Sequence, residues 1–378
     1  MRRLFSILPL ALLPVGFLAV MVAAPLWALA DYGGGLDWEG VLADAYLRGK
    51  IAWTAAQAAV TCVLAVLLGV PVAWVLARLD FRGRGWVLRL LMLPFVMPTL
   101  VAGMGVLALF GARGLLLSGW QDTPYLLLYG NVFFNLPVLV RAAYQGLRSV
   151  PAARLLAAQT LGAGAWRRFW LVETPVLLPW LAGGACLVFL YCFSGFGLAL
   201  LLGGTEYGTV EVEIYRLIAY ELDMAQASVL VWMVLGITAA AGLLYARLSR
   251  RTDADKAHAA PRPRKPATAA ERLMVAAVLS VLCVCCLMPL LAVVRQAALA
   301  GGSWRVLLEG ETLAALWNTA RFSAAVAAAA VLGVSYACLA RCAAWVRGRY
   351  FCRLWCRRSV WRSACCCCIR NGRHRCRF

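Results

Sequence analysis

Apolar residues in this chain run in long, nearly unbroken blocks divided by short polar loops, with neither strand-like alternation nor a single helical stripe. The blocks fall at positions 5–30, 51–76, 90–110, 125–140, 176–202, 225–245, 273–294 and 313–339. A helix rising 1.5 Å per residue needs about 20 residues to cross roughly 30 Å of hydrocarbon. The pattern therefore predicts an all-α polytopic membrane protein with about eight transmembrane helices. The first block follows Met1-Arg2-Arg3 and contains Ala28-Leu29-Ala30, a small-residue pattern of the kind cleaved after a signal peptide. It is about twice the usual apolar length of such a peptide, and is read as a retained first helix.

The loops set an orientation, because translocated loops avoid Lys and Arg. Arg78, Arg82, Arg84 and Arg89 lie in one loop, Arg141, Arg148, Arg154, Arg167 and Arg168 in another, and Arg247 through Arg272 in a third. The loops between carry Asp31, Asp37, Glu39 and Asp44, and later Glu206, Glu211, Glu213, Glu221 and Asp223. This alternation places the N-terminus in the cytoplasm.

Composition agrees: 63% of the 378 residues are hydrophobic and only 14% are charged, where a soluble chain carries about 25% charge. Mean hydropathy is +0.78. The net charge of +20 raises the question of nucleic acid, but the basic residues sit in short loops, with no basic stripe interleaved with aromatics. The expected surroundings are a lipid bilayer, and no nucleic-acid partner is expected. Cys62, Cys186, Cys192, Cys283, Cys285 and Cys286 lie inside apolar blocks, where Cys acts as a small hydrophobe. With only His258 and His374 to join them, no metal-ligand spacing can be written and no metal is expected.

A shift of 264 residues aligns Pro25 with Pro289, Trp53 with Trp317 and Gly69 with Gly333. Six spans separate the copies, so both enter the membrane in the same direction, giving a parallel tandem repeat of six-helix halves. The predicted organisation is a first half at 1–249, a cytoplasmic linker at 250–272 and the start of a second half, two helices, at 273–341. Positions 342–378 hold ten Arg, eight Cys and no acidic residue. That composition reads as an aberrant, out-of-frame tail, and the second half as truncated and the product as impaired.

The loop between the fourth and fifth blocks carries the most specific pattern. Pro151 can open a helix, the residues to Leu161 are good helix formers, Gly162 and Gly164 break it, and a short amphipathic stretch precedes Pro175. This reads as a stiff elbow for a groove on a soluble partner. Ala157, Ala158 and Gly162 permit close approach, Trp166, Phe169 and Trp170 anchor, and Arg167 and Arg168 meet acidic rim residues. A loop lying on lipid headgroups is the alternative.

Ala157-Ala158, Gly162, Val172 and Pro175 fall at the spacing of the Glu-Ala-Ala signature of bacterial ABC-import permeases, which this segment resembles. Leu156 stands where that family has Glu, and Thr174 where it has Leu. The segments at 132–137, 192–196 with 202–204, and 209–215 together further resemble thiamine-importer permeases and, slightly less, ferric-iron permeases. The resemblance implies an inner-membrane subunit that takes substrate from a periplasmic binding protein and sits on a cytoplasmic ABC ATPase dimer, which binds ATP and Mg. No Gly-x4-Gly-Lys-Ser/Thr phosphate loop is present in this sequence, so the chain is expected to be a permease without catalytic residues or a cofactor of its own. A secondary transporter not driven by ATP is the rival; it predicts ionisable residues within spans, where Arg321 is the obvious candidate. A membrane scaffold without transport is the third reading.

For a pathway, Asn135 is polar at membrane depth, as a helix–helix hydrogen bond or a pathway group. Tyr191, Phe193 and Phe196 can stack on a cationic aromatic ligand or face lipid. Pro94 and Pro98 either break the third span beside a cavity or kink it.

Overall fold

The computed structural model describes residues 16–17, 19–32, 38–112, 114–204, 206–252 and 261–358. Positions 5–15 of the first apolar block, the linker stretch 253–260 with His258, and the tail 359–378 with its four consecutive Cys lie outside the described residues. Among the described residues all regular structure is helical, and one isolated bridge joins Leu79 to Arg264.

A π-helical turn, Ala19–Ala23, leads into α1 (Ala24–Tyr32), and α2 (Trp38–Ala43) follows. Helix α3 (Ala45–Arg78) is 34 residues long, about 50 Å, so it outreaches a bilayer core. Asp44 caps it by accepting a hydrogen bond from the Tyr46 backbone at 2.8 Å. The third block becomes α4 (Arg84–Leu90), α5 (Leu93–Val96) and α6 (Thr99–Phe110). The chain bends by 104° where α5 meets α6. The cause is local: Met97, pushed out of the helical region by the ring of Pro98, sits at φ −67°, ψ 147°. The block is sharply broken at Pro98 rather than gently kinked.

Helix α7 (Pro124–Ser149), α8 (Ala152–Thr160), α9 (Ala165–Arg168), a π-helical turn at Phe169–Glu173 and α10 (Thr174–Phe193) come next. The fifth block, expected as one helix to position 202, stops at Phe193. Ser194 and Gly195 turn the chain before α11 (Gly197–Leu202), and a Cβ on Gly195 would lie 2.7 Å from the Tyr191 carbonyl oxygen. After α12 (Val210–Arg216) and another π-helical turn come α13 (Met224–Thr252), α14 (Ala269–Leu282), a π-helical turn at Cys283–Leu287, and α15 (Met288–Leu299). A 3-10 segment and α16 (Gly310–Arg358) end the described chain.

By length and composition six helices can cross a membrane, Ala45–Arg78, Pro124–Ser149, Ala165–Phe193, Met224–Ser249, Ala269–Leu299 and Gly310–Tyr336, with the bent pair as a seventh; the short apolar helix Ala19–Leu29 falls in the first block. The chain is a multi-pass helical membrane protein. Ala23–Leu299 forms one compact unit, and Met1–Val22 with Ala300–Phe378 forms another.

Within the larger unit α7 is central: 67% of its apolar window is buried, against 28% for α13. Helices α3, α7 and α10 pack on one another through Leu76, Leu136, Leu139, Val140, Leu177 and Val188. Small residues let the backbones close, as in membrane interfaces generally. A Cβ on Gly184 would lie 2.9 Å from that of Ala142, and one on Gly105 of α6 would lie 2.5 Å from the Pro289 carbonyl of α15. In the smaller unit, the window Gly310–Tyr336 of α16 has no buried share. Arg321 is exposed there, its guanidinium 5.1 Å from the Phe322 ring centre.

Candidate functional site

The elbow is α8 and the turn that follows. Pro151, at φ −64° and ψ 132°, stands at its N-cap, and the helix ends in a Schellman motif. The Ala163 backbone N–H donates to the Ala158 carbonyl at 3.0 Å and that of Gly162 to Gln159 at 2.9 Å, with Gly162 at φ +73°. Gly162 is there because a left-handed residue must end the helix. Nothing lies within 4 Å of where its Cβ would be, so the surface stays open.

The second stretch is not a separate amphipathic piece. Ala165 to Phe193 is one continuous helix of 29 residues carrying a π-helical turn, so Trp166, Arg167 and Arg168 form the end of the fifth span. Pro175 sits in the first turn after that π-helical turn and does not interrupt it. Ala157, Gly162, Arg167 and Pro175 are exposed; Ala158, Arg168 and Val172 are half-buried. Leu156, Leu161, Trp166 and Trp170 are exposed at 61%, 86%, 75% and 51%. Trp166 and Trp170 pack edge to face at 5.7 Å, while Phe169 turns inward against the core. The result is a protruding apolar surface flanked by Arg.

Below it lies a group that sequence reading missed. Glu173, the one acidic residue of the segment, is buried and forms an ion pair with Arg78 at 3.2 Å. Arg78 also donates to the Leu147 carbonyl at 3.3 Å, so one guanidinium joins the ends of α3, α7 and the fifth span. The linker straps the same place. Its Arg264 N–H donates to the Arg78 carbonyl at 3.0 Å, Arg264 accepts from the Asp80 N–H at 2.8 Å, and Arg148 donates to the Pro261 carbonyl at 2.7 Å. Arg264 is in turn ion-paired with Glu271, in the first turn of α14. A lone Glu among Arg residues at a span end was the available signal.

The second feature is a cavity of ≈ 470 Å³, where the breaks at Pro98 and Ser194–Gly195 meet α7. Of the pathway candidates it gathers Asn135, Tyr191 and Phe196, and adds Thr99, Asn131, Phe134 and Ser194. Phe193 is not among them; it is buried in the core and stacks on Phe189 at 5.5 Å, because one step along a helix turns a side chain by about 100°. Phe95 ties the wall together, 5.4 Å from Phe134 and 5.3 Å from Tyr191. Behind the wall Asn131 donates to the Gln57 side-chain oxygen at 2.7 Å, and Gln57 donates to the Cys192 carbonyl at 2.9 Å. Asn135 donates to the Asn131 carbonyl at 3.0 Å and to Cys192 Sγ at 3.3 Å, and its Oδ1 has no partner. Irregular backbone at membrane depth is tolerated where it lines such a cavity. The signal available in sequence was the polar face Thr54, Gln57 and Thr61 opposite Asn131 and Asn135, spaced three or four apart.

On another face Glu213, buried in α12, accepts from Tyr46 Oη at 3.0 Å and from Arg216 at 2.6 Å. The hydrogen bond that Arg216 donates to Glu213 holds its guanidinium above the usual pKa. Burial raises the carboxyl of nearby Glu211.

Helix breaks around a cavity, in a chain that also carries an exposed helical elbow, are features of a multi-pass membrane protein. The chain belongs to the binding-protein-dependent transport system inner membrane component family, whose model matches residues 65–254. It is 35% identical over 236 residues to the thiamine transport system permease protein ThiP of Salmonella typhimurium, covering 60% of this chain and 44% of that protein. The chain thus spans less than half the length of the thiamine relatives it matches. It is 32% identical over 242 residues to the molybdenum transport system permease protein ModB of Mycobacterium bovis, covering 59% of this chain and 89% of that protein. In fold it is similar to a chain of a bacterial alginate ABC transporter, with a TM-score of 0.55, 14% identity and coverage of 68% of this chain and 97% of that one.

Proposed function

We propose that this chain is the membrane subunit of an ATP-driven importer, taking substrate from a periplasmic binding protein and coupled through its elbow to a cytoplasmic ABC ATPase dimer that holds ATP and Mg. One observation carries the reading: an elbow with exposed Leu161 and Trp166 stands on a buried Arg78–Glu173 ion pair that joins three spans. A loop made for lipid headgroups has no need of such bracing, whereas a lever must pass force from a docked subunit into the bundle. The Arg-rich loops support a cytoplasmic side for this end, which would leave Glu211 and Glu213 toward the periplasm. The motion is a switch of the bundle between inward-open and outward-open states as the ATPase closes.

The substrate proposed is thiamine or its phosphates. The 35% identity to ThiP supports it, as does a cavity walled by amides, hydroxyls and aromatic rings. An oxyanion is the second reading, favoured by the match along 89% of ModB. The test is a crosslink from Ala158→Cys or Gly162→Cys with the co-expressed ATPase in membranes. Capture of the ATPase is expected; capture of lipid alone overturns the assignment.

A further inference from the structure

We propose that the cavity between the two span breaks is a transit site for a flat organic cation carrying an N–H donor, recognised by Tyr191, Phe196 and Asn135. The inference deepens the importer reading and rests on it for the word transit; the site's chemistry stands on its own geometry.

The cavity is of a size that encloses a small molecule. Its wall has no Asp, Glu, Lys or Arg, so no full charge selects an ion of either sign. Rings do the selecting. Phe134, Tyr191 and Phe196 line it, Tyr191 is held at an angle by Phe95, and Phe196 by Tyr215 at 5.4 Å. Such rings present negative π faces, which attract cations and stack on flat heterocycles while offering an oxyanion nothing.

The polar part of the wall points the same way. Asn135 is 1% exposed, both described bonds of its amide use the nitrogen, and its oxygen is left without a partner. A buried acceptor without a donor is unfavourable, and its complement is an N–H on the occupant. An anion would meet the wrong end of that amide. Backbone dipoles do not reverse the choice. The N-terminus of α6 at Thr99, the C-terminal end of α10 at Ser194 and the start of the six-residue α11 at Gly197 all line the cavity, so the backbone offers partial charges of both signs and the rings and the Asn135 oxygen decide. The Ser194–Gly195 turn and the Pro98 break keep the wall irregular, so it can rearrange as the bundle switches.

The test uses the full chain in lipid nanodiscs, with radiolabelled thiamine and, separately, molybdate, in equilibrium dialysis. Saturable thiamine binding is expected, weakened roughly 5- to 30-fold by Tyr191→Leu, held within about threefold by Tyr191→Phe, and weakened roughly tenfold by Asn135→Leu. Tyr191 is partly exposed, so its two variants read out ligand contact even where Asn135→Leu disturbs folding. Absence of thiamine binding to the unaltered chain, or thiamine binding indifferent to Tyr191→Leu, overturns the site. Molybdate binding lost on the same substitution overturns the cation class. The elbow crosslink is read independently, so its failure beside Tyr191-dependent thiamine binding removes the importer reading and leaves the site.

Discussion

The elbow and the cavity are built on opposite principles within one compact unit. The elbow is a contiguous segment that puts Leu161 and Trp166 into solvent, with Arg167 beside them. The cavity is assembled from α6, α7, the end of α10 and α11, and keeps its two amides, Asn131 and Asn135, buried. Exposed apolar side chains next to charge suit a protein partner; buried amides beside aromatic rings suit a small molecule. The comparison shows where each can be perturbed. The elbow's outer residues are free of the fold, its base is not, and the cavity shares its wall with the packing of the spans.

The largest expected effect lies at the base. Glu173→Ala leaves Arg78 buried without a counter-charge and is expected to destabilise the unit by about 3–5 kcal/mol, read as lost thermal stability in detergent. The double change Arg78→Met with Glu173→Leu recovers most of it. If the single variant keeps its melting temperature, the brace is not what holds the elbow. Gly105→Ala comes next: its Cβ meets the Pro289 backbone, and overpacking there costs about 1–3 kcal/mol, with faster hydrogen exchange in α15. Gly162→Ala forces a left-handed alanine and costs about 1–2 kcal/mol, seen as exchange confined to residues 157–163 while ligand binding in the cavity stays unchanged. Smallest for stability is Trp166→Ala, within about 0.5 kcal/mol, yet ATPase association is expected to fall roughly tenfold or more. Unchanged association there would blur the contrast between the two features.

The short helix Ala152–Thr160 and its end at Gly162 were legible because that turn is local: capping, helix propensity and glycine placement act over a few residues. The extent of the following helix was misread at Ala165, since a helix entering lipid and an amphipathic piece on its surface share the same Trp and Arg. The cavity was only partly legible. Asn135, Tyr191 and Phe196 were found as polar or aromatic residues at depth, but Asn131, Phe134 and Thr99 were not, and Phe193 was placed in the wrong company. Rotation about a helix axis decides which side chain faces a cavity, and apolar blocks without an amphipathic stripe carry little record of that rotation.

What the sequence determined by itself was the helical type of the spans and roughly where each one lies; it expected about eight, where six helices and one bent pair are long and apolar enough to cross. A bilayer forces every backbone polar group to be satisfied within its own segment, so apolar length alone dictates helices. What only the tertiary structure decided was where those helices break, which faces meet, and that Arg78 reaches Glu173 across 95 residues of chain. These depend on close approach at Gly105, Gly184 and Gly195 and on buried partners far apart in sequence, which no local propensity encodes.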